Sequence, residues 1–133
     1  MNSLRGNIID IQVCDNISLV KIQCGDSVLS SIIIETPSTI SYLREGNSIN
    51  VLFKETEVII AKKGEYEISL QNQLPCLIEH IKKGQLLSRI KLKFNNTEIR
   101  SIITSNAVNK LELEEGMEVL AMIKTNEIML SQL

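Results

Sequence analysis

The chain has 133 residues, 44% of them hydrophobic but only 3% aromatic, and a net charge of −2 at pH 7, which bounds it to one ordinary domain or two very small ones with an aliphatic core. An isoelectric point near 5.5 leaves no basic field to hold a nucleic acid backbone, and the absence of Trp leaves little for base stacking, so no nucleic acid partner is expected. The first residues lack the apolar core of a signal peptide and no 18-residue apolar run exists, so no membrane partner is expected either; three cysteines without a CxxC pair fit the reducing cytoplasm.

The sequence repeats itself. A shift of 70 residues brings Gly46 onto Gly116, and it also aligns Asn2 with Asn72, Ile8 with Ile78, Ser18 with Ser88 and Ser31 with Ser101. Lys54 falls on Lys124 and Glu57 on Glu127. Such a gapless register marks a tandem duplication, with a first unit over 1–62 and a second over 63–133. The join, "AKKGEYEISL" at 61–70, is polar and too short for a flexible linker, so the units should pack closely.

In chain order, "LRGNIIDIQV" and "LPCLIEHIKK" predict a first strand in each unit. "SLVKIQC" and "SRIKLKF" alternate with period two and predict a second. Turns are predicted at Asp26–Ser27 and at Asn95–Thr97, followed by third strands in "VLSSIII" and "EIRSIIT". "TPSTISYL" and "SNAVNKLEL" predict one short helix per unit, with Pro37 allowed in its first turn. Gly46 and Gly116 then fit turns that need positive φ. Fourth strands lie in "NSINVLFK" and "MEVLAMIK", and fifth strands in "EVIIA" and "EIMLS". The expected fold is mainly β: two tandem OB-like five-stranded barrels, each with one short helix. A unit near 60 residues is marginal alone, so the two should share a core or oligomerise.

Few residues suggest chemistry by themselves. His80 aligns with Asp10 and reads as a surface strand residue. Cys14, Cys24 and Cys76 have no matched partners and read as small apolar fillers. No Ser/His/Asp or Cys/His set, metal-ligand cluster, phosphate-cradling Gly loop or raised-pKa carboxylate pair can be assembled, so a binding protein is expected rather than an enzyme.

"LELEEGMEVLAMIKTNEIML" at 111–130, with "IIT" at 102–104, resembles the Mop, or TOBE, domain of molybdate-binding proteins, and both units carry the pattern. The tandem form resembles the di-Mop proteins. That resemblance implies a bound molybdate or tungstate, a homotrimer, and sites shared between subunits, in a protein that stores, buffers or delivers the oxyanion in the cytoplasm. The family's ligands carry over in three places. Ser69 and Asn72 match the segment ahead of the first strand, with Gln71 in place of an Arg. Thr104 matches after the third strand, with Ala107 in place of a Ser. Lys124, Thr125 and Asn126 match at the end of the fourth strand. The first unit retains Lys54 and Thr56, inserts Glu55, and has Ile34 and Pro37 where the hydroxyls would stand. A tetrahedral dianion needs such a mixture: hydroxyl, amide and backbone donors from several sides and one or two cations. The losses in the first unit also suit a regulatory or protein-docking module of the same fold.

Overall fold

The computed structural model describes residues 1–133. Ten strands and one helix follow in order: β1 (Asn2–Cys14), β2 (Ile17–Cys24), β3 (Ser27–Ile33), β4 (Ser48–Phe53), β5 (Ile59–Lys62), β6 (Asn72–Lys83), β7 (Leu87–Phe94), β8 (Thr97–Thr104), α1 (Ser105–Lys110), β9 (Glu118–Ile123) and β10 (Met129–Ser131). The period-two pattern reads directly into burial. Along β7, Ser88, Ile90, Leu92 and Phe94 point inward, while Leu87, Arg89, Lys91 and Lys93 face out. Gly46 and Gly116 both adopt φ 89°, as their place in the repeat predicted. Each donates its N–H to the first strand of its unit, Gly46 to the Ile8 carbonyl at 2.7 Å and Gly116 to the Ile78 carbonyl at 2.8 Å. The register of that first strand shifts at the same points, between Ile8 and Asp10 and between Ile78 and His80. A bulge bends a strand, and here it adds to the curl of each sheet.

The sheets do not follow the repeats. One has the order β10-β4-β1-β2-β3 and the other β5-β9-β6-β7-β8. Each repeat therefore gives its fifth strand to the other's sheet: Ile60 pairs with Ala121, and Leu130 pairs with Val51. The cause lies in the residues between the fourth and fifth strands. A hairpin return would need a tight reversing turn. Instead, Glu55–Glu57 and Thr125–Glu127 each form a 3₁₀ turn that carries the chain onward to the neighbouring barrel. β5 then lies against β8, and β10 against β3, which closes each sheet toward a barrel.

The exchange merges the interiors. One cluster of 25 buried apolar residues runs through both repeats, from Leu4 and Ile8 to Ile123 and Ile128. Two units too small to be robust alone become one larger core. Polar side chains pin the junction in matched pairs: Ser31 Oγ donates to the Ile128 carbonyl at 2.9 Å, and Ser101 Oγ to the Val58 carbonyl at 2.8 Å.

Two expectations need correction. Only the second repeat forms the short helix. In the first, Thr39 and Ile40 bond the Thr36 carbonyl at 3.0 and 2.9 Å and the turn goes no further. Thr39 Oγ1 also bonds both the N–H and the carbonyl of Thr36, so side chain competes with backbone, and β-branched Thr and Ile add to the cost of a helix. The cysteines also divide. Cys24 and Cys76 are buried and burial pushes their thiols up, to about 11 and about 12. Cys14 is exposed at the end of β1 and fills nothing.

Candidate functional site

Lys124 follows the buried Ile123 at the end of β9 and is exposed, its backbone extended at φ −64° and ψ 149°. It opens the turn that holds Thr125 and Asn126, closed by the Glu127 N–H bonding the Lys124 carbonyl at 3.0 Å. The β6–β9 ladder pairs Asn72 with Ile123, so the next positions along it are Gln71 and Lys124. The Ser69–Asn72 segment thus enters, and the Lys124–Asn126 turn leaves, at the same end of the second sheet. Ser69 is exposed there.

Asn72 has a different task from the one the resemblance implied. It is 1% exposed, and its side chain bonds both the N–H and the carbonyl of Ser30 in the other repeat, at 2.7 and 2.9 Å. Asn2 repeats the arrangement with Arg100, at 2.8 Å in both directions. The amide clamps two barrels together.

Lys54 and Thr56 mirror Lys124 and Asn126 at the end of β4, where both are exposed. Between them, Glu55 turns to the Met1 ammonium at 2.6 Å, and that bond lowers its carboxyl below the ordinary value. The two 3₁₀ turns approach one another where Glu57 meets Glu127. Hydrogen bonding to the Glu127 carboxyl raises Glu57 above the usual carboxylate value, burial and repulsion add to this, and Lys54 opposes it.

Thr104 lies elsewhere. It ends β8 and is paired with Leu87, and its Oγ1 accepts the Ala107 N–H at 3.1 Å as the cap of α1. β8 runs parallel to β6, so Thr104 stands at the Lys83 end of the sheet, opposite the Asn72 end where Lys124 lies. The 12 residues of β6 separate the two ends, roughly 40 Å of chain at strand rise. Within one copy, Thr104 does not join Lys124.

The sequence reading passed over a further group. His80, Lys82, Arg89, Lys91 and Arg100, together with Glu55, line a cavity of about 390 Å³ on the outer face of β6, β7 and β8. The alternation of "SRIKLKF" places Arg89 and Lys91 on one face, but strand pairing was needed to bring Lys82 and Arg100 beside them.

The TOBE domain family matches residues 68–130. Molybdenum-pterin-binding protein 1 of Clostridium pasteurianum is 34% identical over 64 residues, which cover 47% of this chain and 94% of that protein. Molybdenum-pterin-binding protein 2 of the same organism is 33% identical over the same lengths. Among solved structures, a PEG-grown, molybdate-bound form of the cytoplasmic molybdate-binding protein ModG shares the fold, with a TM-score of 0.90 over 98% of this chain and 94% of that one at 24% identity. The chain belongs to the TOBE-domain family that includes the molybdenum-pterin-binding proteins, and it joins two copies of that fold in one polypeptide.

Proposed function

We propose that the protein binds molybdate or tungstate reversibly, without catalysis, and holds it in the cytoplasm for storage, buffering or delivery. The observation that supports this reading is the pairing of Asn72 with Ile123, which sets the start of β6, three residues after Ser69, beside the end of β9, where the Lys124–Asn126 turn begins. One cation, hydroxyls and an amide on a tight turn are the donors that a tetrahedral dianion takes. The relatives support it: the clostridial proteins are named for binding molybdenum-pterin, and ModG was crystallised with molybdate.

Thr104 extends the proposal to the assembly. It stands at the opposite end of the sheet from Lys124, so a site using both draws on two copies of the chain. A homotrimer supplies such junctions. Calorimetric titration with molybdate, tungstate and sulfate, together with light scattering, tests both parts. Saturable heat with molybdate or tungstate but not sulfate, at a mass three times the 14.9 kDa chain, is the expected result. A monomer that binds tightly would remove the shared site, and no heat with any oxyanion would remove the function.

A specific observation supports a regulatory or docking module as the second reading. Ile34 occupies the position of Thr104 in the first repeat and is 77% exposed, and Ile17 and Ile32 are exposed on the same sheet. That face offers aliphatic surface in place of oxyanion donors. Retention of a partner protein by a chain that binds no oxyanion would favour it.

A further inference from the structure

We propose that the outer face of β6, β7 and β8 is a second anion site, for a small organic molecule that carries two phosphate-like groups. The strand register builds it. His80 pairs with Lys91 and Lys91 with Arg100; one pleat further, Lys82 pairs with Arg89 and Arg89 with Ile102. These form two parallel rows across the three strands, each with two adjacent cations. Neighbours within a row stand about 5 Å apart, and the rows are about 7 Å apart. Like charges placed opposite one another destabilise a sheet. Internal compensation is partial. Glu98 takes Arg100, and it reaches Lys91 at 3.5 Å. Neither Lys82 nor Arg89 forms an ion pair within the chain. Glu55, a carboxylate in the cavity lining, is held by the Met1 ammonium and also feels Arg100, and Glu115 takes His80 at 2.9 Å. A cavity with more cations than carboxylates, on a chain of net charge −2, concentrates the field where an anion would sit.

The duplication isolates the feature. In the first repeat the matching rows read Asp10, Lys21 and Ser30, then Gln12, Leu19 and Ile32. Lys21 alone retains a charge of the same sign. Because the fold is shared and the charges are not, barrel architecture does not require them. The volume of about 390 Å³ suits a compact organic ligand rather than one tetrahedral oxyanion. The two rows match two anionic groups, and Ile102 adds an apolar contact to the cavity lining.

The test is calorimetric titration of the full chain with a hexose bisphosphate, the corresponding monophosphate, inorganic phosphate and molybdate. The bisphosphate should bind at one site per chain, with affinity that falls as salt is raised, and the monophosphate and phosphate should bind at least about tenfold more weakly. Lys82→Ala and Arg89→Ala should each weaken the bisphosphate about fivefold or more, and Lys21→Ala should not. Both variants should leave molybdate titration unchanged. All three side chains lie on sheet faces, and circular dichroism verifies that the variants fold. No bisphosphate binding at millimolar concentration, or unaltered binding by Arg89→Ala, would overturn the proposal. Loss of molybdate binding in Arg89→Ala would place the cations in the oxyanion site. A change of assembly mass in Arg89→Glu would instead make the face an interface between copies.

Discussion

Asn72 clamps Ser30. Its Oδ1 accepts the Ser30 N–H at 2.7 Å, and its Nδ2 donates to the Ser30 carbonyl at 2.9 Å, across the junction of the two repeats. β3 is an edge of its sheet, so this amide completes backbone groups that no strand reaches. Asn72→Ala should leave a buried donor and a buried acceptor unpaired, at roughly 1–3 kcal/mol each before relaxation. We expect a loss of about 2–4 kcal/mol in chemical denaturation. Asn2→Ala should cost less, because its bonds to Arg100 are only partly buried. A neutral Asn72→Ala would mean that water replaces the clamp.

Strand exchange makes the C-terminal strand a component of the first barrel. A chain ended at Ile128 lacks β10 and uncovers β4, which β10 otherwise pairs through Val51 and Leu52. Hydrogen exchange at β4 should then accelerate more than at β9, whose partners β5 and β6 persist. Greater loss in the second repeat would contradict the exchange.

Lys124 and Lys54 occupy matching turns with unequal surroundings. Lys124 is followed by Thr125 and Asn126, and Lys54 by Glu55. We expect Lys124→Ala to weaken molybdate binding by about tenfold or more, corresponding to roughly 1.5–3 kcal/mol for a charge-assisted donor. Lys54→Ala should lose less, because a neighbouring carboxylate repels a dianion even while Met1 holds it. Calorimetry on both variants decides the order; a larger loss at Lys54 reverses the assignment.

Glu57 and Glu127 give the junction a pH dependence of defined sign. The folded state binds a proton on Glu57 more tightly than the unfolded chain does, because the Glu127 carboxyl bonds and repels it. Stability from this group is therefore fully present below the ordinary Glu value, near 4.3, and falls as pH rises through the raised value. Glu55, Glu98 and Glu118 are lowered by their cationic partners and contribute in the opposite direction, lost as pH falls. They are surface pairs and individually weak. Glu57→Gln should raise the melting temperature at pH 7 and leave it nearly unchanged at pH 4. An equal rise at both would indicate that relief of repulsion is not the cause.

The sequence by itself determined the duplication, the ten strands and the turns at Gly46 and Gly116. Those features depend on local rules: period-two burial in "SRIKLKF", and positive φ at a residue without a side chain. It also preserved, as identities between repeats, the residues that join the barrels. Asn72 read as a ligand position and Ser31 with Ser101 only as repeat identities, yet each, like Asn2, is buried in a matched hydrogen bond. Whether such a side chain serves a ligand or the fold depends on what lies across from it, and periodicity carries no information about partners 42 to 98 residues away. Tertiary structure alone decided the exchange of β5 and β10, since either barrel could have accepted either strand by pattern. It likewise separated Thr104 from Lys124 and gathered Lys82, Arg89, Lys91 and Arg100 around one cavity. Strand pairing sets which distant residues become neighbours, and it is fixed by the merged core and by turns that carry the chain across rather than back.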